Sequence, residues 1–422
     1  MATQLLLPHS IQLDGQASRR GLIPRMPPGD RLLTDIETWV RADYADQVRT
    51  TTRRSLGDHG AELTLGLHPA ARDLVITATD GGKVGVAAET AAAGPGYHRF
   101  IGRLLERMAE AHDLEWSSDE ADRFAFADRT TVERAYMGWL GPALGQARDA
   151  WRRGARSQLG LPEGTRFTFD GVIATALGPR DEAWLQSAIG DPRIAIDIAP
   201  WWADAPDARY LLNRALALMW VQVRWRRPAI DDEAAVLEDV HRLLTKAYTT
   251  DPDLPYPWHA WMDLVSNAGF DDAMTRQVIA RAASLPPPPV LVGYRRRGVR
   301  ITHEGWALEI PGEFAERRSA EEWWGGGPGR QVTLAAVPTG SMTATAFVSQ
   351  FSADLGLDAL AHQAGDLVGR ARIVSDSTSG IEVAVLDGYS AVPGSGAAIR
   401  IEFDDPSYWQ WAIDLWRSLA PG

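Results

Sequence analysis

Apolar residues recur along this chain at two spacings, and the switches between them mark out its elements. Leu33, Ile36, Trp39 and Val40 fall three or four apart and predict a helix reaching about residue 48. Residues 62–67 and 73–77 alternate apolar with polar, and Asp80-Gly81-Gly82 turns the chain into Val84-Gly85-Val86, so a small meander sheet is expected. Tyr97, Ile101, Leu104, Leu105 and Met108 return to the helical period. Residues 124–126 read as a short strand, and Asp128 opens a helix carrying Val132, Tyr136, Trp139 and Leu140. Strands are predicted at 167–169, 171–176 and 194–198, with a short helix over 181–189.

From residue 207 four helical stripes follow one another. The first carries Leu211, Leu212, Ala215, Leu218 and Met219; the second, after the acidic start Asp231-Asp232-Glu233, carries Val236, Leu237, Val240, Leu243 and Leu244. The third holds Trp258, Trp261, Leu264 and Val265, and the fourth runs from Asp271 to about Ser284. Pro286 to Pro289 then form a stiff break. Beyond it strands are expected at 299–302, 306–310, 331–337, 371–374, 380–386, 389–392 and 397–403, and helices at 343–351 and 357–367. Asp405 as cap and Pro406 at the first helical position start a closing helix that ends near Leu419. The expected class is α+β and multidomain: an arm (1–30), an N-terminal α/β domain (31–206), a central helical hairpin segment (207–285), a proline linker (286–289) and a C-terminal antiparallel sheet with helices (290–422).

Two resemblances attach to these segments. Lys246-Ala247-Tyr248, Asp251-Pro252-Asp253, Trp258 and Leu264 resemble the joint between two tetratricopeptide helices, over about one repeat. The C-terminal segment carries Trp306-Ala307-Leu308-Glu309-Ile310-Pro311, then antiparallel strands ending in Ile399-Arg400-Ile401-Glu402-Phe403-Asp404-Asp405-Pro406, and a last helix with Trp409, Trp411 and Trp416. It resembles the PsbP-like family of small α/β modules. That resemblance implies a binding module, and it carries over no functional residue.

Composition narrows the chemistry. A net charge of −12 argues against a general nucleic-acid binder. With no cysteine there are no disulfides, thiolate metal sites or Cys nucleophile. Leu5 to Leu7 is too short for a signal-peptide core, and the most apolar helix-length stretch (210–225) contains Arg214, Gln222 and Arg224, so no membrane insertion and a cytoplasmic location are expected. Lysine occurs only as Lys83 and Lys246, neither followed by Ser or Thr, which excludes a P-loop; near-absence of lysine beside abundant arginine is a bacterial, GC-rich signature.

Candidate sites are few. Gly94-Pro95-Gly96-Tyr97-His98-Arg99 enters a helix, where free N–H groups favour an anion; Gly94, Gly96 and Arg99 are the anion-binding candidates, against the plainer reading of a tight turn feeding a packed helix. His98 is the candidate general base if a carboxylate from Asp119, Glu120, Asp122 or Asp128 meets it; otherwise it is a core histidine. No metal motif is present and no cofactor is expected. Trp323 and Trp324, beside Gly325 to Gly329 in an expected loop, and Trp258 with Trp261 are candidate contact surfaces. The clusters Arg224-Arg226-Arg227 and Arg295-Arg296-Arg297 read as solvated faces, the latter in reach of acidic surface on the neighbouring domain. The leading expectation is a non-enzymatic adaptor of a bacterial system with a protein partner. One alternative is a hydrolase or transferase centred on His98 and Arg99; another is an immunity or conflict-system component.

Overall fold

The computed structural model describes residues 2–5, 10–17, 29–57, 60–117, 124–319, 321–356, 359–376 and 383–422. The candidates Asp119, Glu120 and Asp122 lie outside the described residues. The chain is an α+β multidomain mix of helices and mainly antiparallel sheets.

In chain order the first elements are β1 (Ala2–Leu5), β2 (Ser10–Ala17), α1 (Gly29–Asp43), β3 (Thr50–Ser55), β4 (Ala61–Gly66), β5 (Leu74–Ala78), β6 (Lys83–Glu89), α2 (Pro95–His112) and β7 (Leu114–Trp116). An antiparallel sheet has the order β3-β4-β5-β6-β2-β7. Its alternation sends Ile11, Leu13, Leu63, Leu65, Ile76 and Val86 to one face, where they meet Leu33 and Ile36 of α1 and Ile101 and Leu105 of α2. Within the expected arm, Ile11 and Leu13 alternate as strand residues and β2 lies inside the sheet, while residues 1, 6–9 and 18–28 lie outside the described residues.

Next come α3 (Arg129–Arg152), β8 (Arg156–Leu159), β9 (Thr165–Phe167), β10 (Ile173–Thr175), β11 (Gly178–Arg180) and α4 (Glu182–Gly190). β1, β8 and β10 run parallel and β11 closes that sheet antiparallel. Two strand expectations fail here. Phe124–Phe126 is a 3₁₀ turn, too short for a period to be read from it. Pro192–Ile198 is a 3₁₀ helix capped by Asp191; Ala195 and Ile198, three apart, share its buried face while Ile194 is exposed.

α5 (Ala208–Val221), α6 (Asp231–Thr250), α7 (Trp258–Ala268) and α8 (Ala273–Ala283) bury Leu218, Leu244, Trp261 and Val278 in one cluster. After the prolines follow β12 (Val299–His303), β13 (Trp306–Ile310), β14 (Ala315–Arg318), β15 (Glu322–Gly327), β16 (Arg330–Pro338), α9 (Ala344–Phe351), β17 (Leu360–Ala364), β18 (Leu367–Asp376), β19 (Val383–Val392), β20 (Ser395–Phe403), α10 (Trp409–Arg417) and β21 (Ala420–Pro421). Seven of these strands make an antiparallel sheet, β14-β15-β16-β20-β19-β18-β17. Of the helix expected over 357–367, residues 357 and 358 lie outside the described residues, and the rest is corrected: Gly365, at φ 60, turns β17 into β18, and Ala364 pairs with Leu367. β9, which precedes the prolines by more than a hundred positions, pairs with β12 beyond them, Phe167 opposite Val299.

Indoles sit repeatedly on glycines. A β-carbon at Gly325 would lie 2.2 Å from the Trp323 ring, one at Gly326 2.6 Å from Trp324, and one at Gly388 2.9 Å from Trp416. At these positions glycine is required because an indole leaves no room for a side chain.

Candidate functional site

The turn before α2 is packed against protein. Gly94 takes φ 109 as the cap of α2, the Gly96 N–H donates to the Trp201 carbonyl at 3.1 Å, and the Trp201 N–H donates to the Ala93 carbonyl at 2.8 Å. Gly96 is glycine because a β-carbon there would meet the Ala203 oxygen at 2.3 Å and the Trp201 ring at 2.5 Å. Arg99 pairs with Asp204, whose carbonyl also accepts from Arg103 at 2.7 Å. The proposed anion cradle is therefore occupied by the chain itself, and the packed-turn reading describes it.

His98 is buried with both ring nitrogens bonded: Nδ1 to the Thr90 hydroxyl at 2.8 Å and Nε2 to the Phe124 carbonyl at 3.0 Å. A carbonyl only accepts, so Nε2 carries the proton and Thr90 donates to Nδ1. Asp128, the described acid of the expected set, caps α3 through the Thr131 N–H at 2.8 Å. His98 thus ties α2 to the end of β6 and to the 3₁₀ turn. Replacing His98 by leucine is expected to strand two polar groups and lower unfolding free energy by about 1–3 kcal/mol, read as a shifted urea midpoint.

The tryptophan candidates divide. Trp261 is fully buried and donates to His241 Nδ1 at 2.9 Å, while His241 Nε2 meets Asp272 at 2.9 Å, the cap of α8. Trp258, half-buried, stacks on Trp261 with ring centres 5.6 Å apart. Trp323 and Trp324 lie in a strand, which corrects the expected loop; the glycines looked like loop residues but make room for the two indoles on opposite faces of β15. Trp323 is in the core and donates to Glu316 at 3.2 Å. Burial pushes the Glu316 carboxyl up, but Arg295 at 2.6 Å and Arg224 at 3.5 Å, with the bonds from Arg295 and Trp323, hold it below the ordinary range.

Trp324 faces outward and builds the site that remains. Its Nε1 donates to Gln331 at 3.2 Å; Gln331 donates to Glu402 at 2.6 Å; Glu402 accepts from Arg400 at 2.7 Å. These side chains cross three strands, because Gln331 lies opposite Glu402 in the register. Arg400 and Gln331 hold the Glu402 carboxyl below its usual value against the opposing pull of burial. A groove of about 510 Å³ opens beside this ladder, lined by Trp324, Gly327, Pro328, Phe403 and Asp404 on the sheet side and by Ala229 and Ile230 on the other. Arg226 fixes that second wall: it grips Glu233 with two bonds, 2.7 and 2.8 Å, and donates to the Glu313 carbonyl at 3.0 Å. At the groove's end Arg330 pairs with Glu313 at 2.9 Å and lies over Tyr408 and Trp411, at 4.5 and 4.7 Å. Asp404 is exposed and makes no ion pair among the described residues. The sequence signal that joins residues 229–230 to this face is the Arg226 cluster, expected to be solvated but bonded here to Glu233 and to the Glu313 carbonyl. Arg296 indeed reaches Asp263 of α7 at 2.6 Å.

Among the described residues no group of three or more His, Asp or Glu is placed to hold a metal, and no helix is long and apolar enough to cross a membrane. No family model matches the chain, and no curated protein matches it. Among solved structures, a protein of Bacteroides thetaiotaomicron VPI-5482 aligns at 7% identity over 28% of this chain and 45% of its own, with a TM-score of 0.25. The Ran-binding protein Mog1p of Saccharomyces cerevisiae aligns at 8% identity over 28% of this chain and 90% of its own, with a TM-score of 0.20. This chain therefore covers less than half of the first of these proteins. At these scores neither likeness carries an argument about function.

Proposed function

We propose that the chain is a non-enzymatic binding protein, an adaptor of a bacterial cell, that takes a segment of a partner protein in the groove beside Trp324. The observation that carries this is the groove itself: an outward indole over apolar and glycine backbone, with its neighbouring polar groups already bonded to each other. Such a surface offers apolar contact at little desolvation penalty. Of the charged residues lining the groove, Asp404 is the one without an ion pair among the described residues, since Arg330 is matched by Glu313 and Glu402 by Arg400; outside the lining, Arg317 lies over the Trp324 ring at 5.6 Å. The occupant that fits is an apolar or aromatic side chain flanked by Lys or Arg. The antiparallel C-terminal sheet with α10 packed on it is in keeping with a PsbP-like binding module.

The test compares affinity recovery of the wild-type chain and Trp324→Ala from the native host. The expected result is one stoichiometric partner with the wild type and a loss of roughly tenfold or more in its recovery with the variant, the size of a central interface anchor. Recovery of the wild-type chain alone after gentle lysis, or an equal yield of partner with Trp324→Ala, refutes the proposal.

A further inference from the structure

A second cleft, of about 660 Å³, lies on the N-terminal side of the molecule, between the loop leading into β5 and the loop after β8. Arg72, Asp73, Glu89, Glu163 and Gln222 line it. Gln222 Oε1 accepts from Arg49 at 2.8 Å, so Arg49 stands directly behind the cleft wall. Arg214 is only 2% exposed and donates to the Tyr210 hydroxyl at 3.0 Å and the Gln47 carbonyl at 3.4 Å. Neither Arg49 nor Arg214 makes an ion pair among the described residues, and Arg214 Nε is buried with no acceptor. The other buried arginine, Arg295, has its carboxylate, Glu316.

The surplus of donors extends to the neighbours. His68 Nδ1 accepts the Ala70 N–H at 3.2 Å, so its buried Nε2 carries a proton, and among the described residues neither that proton nor the buried Tyr97 hydroxyl has a partner. Two guanidiniums in a desolvated place with no carboxylate in ion-pair contact among the described residues are unfavourable, and burial followed by the field of Arg214 pulls Arg49 below its ordinary value, with Asp239 and Asp73 opposing. The charged groups around Arg49 are Arg214, Asp239 and Asp73. Arg72 at the mouth is matched by Glu89 and Glu163.

We propose that Arg49, behind the Gln222 wall, and Arg214 beside it supply the positive field of an oxyanion site, which takes the carboxylate or phosphate group of a small ligand lying in this cleft. Arg49, half-exposed, is the nearer of the two to the cleft, and Gln222, which lines the wall, holds its fork in place. Asp73 is the competing negative charge. This site is separate from the Trp324 groove, and the two proposals stand or fall independently.

Thermal unfolding of the full chain, titrated with inorganic phosphate and with acetate against chloride of equal ionic strength, tests it. A saturable rise of the midpoint with one or both oxyanions but not chloride is expected; a response to one alone assigns the ligand to that class. Arg49→Gln should abolish the rise, and Asp73→Asn should lower the half-saturating concentration roughly tenfold by removing the opposing charge. No saturable rise in the wild type, or an unchanged rise in Arg49→Gln, overturns the site. If Arg49→Gln does not fold, Asp73→Asn decides: unchanged half-saturation overturns it.

Discussion

Replacing Glu316 by glutamine is expected to destabilise the protein by about 3–5 kcal/mol, because it removes one partner of a buried ion cluster and leaves Arg295 and Arg224 uncompensated. The glutamine retains the volume, so the loss is electrostatic. Arg295 has only backbone acceptors left, the Val221 carbonyl at 2.8 Å and that of Gly312 at 3.3 Å. Arg224 is itself pushed down to about 9, by burial first and then by Arg295. The folded carboxyl of Glu316 lies below its unfolded value of 4.5. Its stabilising contribution is therefore complete above that pH and is lost as acid titrates the folded group. Urea unfolding near neutrality should show the full difference between wild type and Glu316→Gln, and that difference should shrink in acid. An equal gap at both pH values would show that the cluster does not hold the central helices to the C-terminal sheet by charge.

Trp201→Ala is expected to lower stability by a similar amount, about 3–5 kcal/mol, by emptying a fully enclosed indole site. Trp201 lies 4.3 Å from Tyr210, 4.9 Å from Phe100 and 5.8 Å from Tyr97, ring centre to ring centre, so it joins α5 to α2. Its backbone also clasps the Gly94–Gly96 turn from both sides, and that clasp survives the substitution. The measured loss, by denaturant midpoint, therefore reports the ring alone. A loss below about 1 kcal/mol would mean that the site collapses to fill the space.

The legible parts of this fold were those where one local rule acted without competition. The stripes of α2 and α5 to α8 follow the helical period, and Asp405-Pro406 starts the closing turn as its chemistry dictates. Reading failed where a short apolar run fitted two periods. Residues 357–367 place Leu357, Leu360, Ala361, Ala364 and Leu367 at helical spacing, and only the Gly365-Asp366 turn reveals the hairpin. The sites were less legible still. Gly325 to Gly327 read as loop because spacing along the chain does not show what fills the room above a glycine. Arg214, noticed for making residues 210–225 too polar for a bilayer, carried a second meaning: a charge inside an apolar stripe is a charge that folding will bury. His98 and Trp261 lay on apolar stripes, and both proved to be buried members of hydrogen-bonded contacts.

The seating of indoles on glycines ties pairs of positions into single hereditary units. Trp416 spans Gly388 and Gly369, so a side chain gained at Gly388 collides with the ring, one at Gly369 presses on the ring and on the Ser390 hydroxyl, and a smaller residue at 416 opens a hole above both. A lineage leaving this arrangement must alter both members, and whichever changes first passes through a weakened ancestor. Descendants should thus inherit ring and glycine together, or neither.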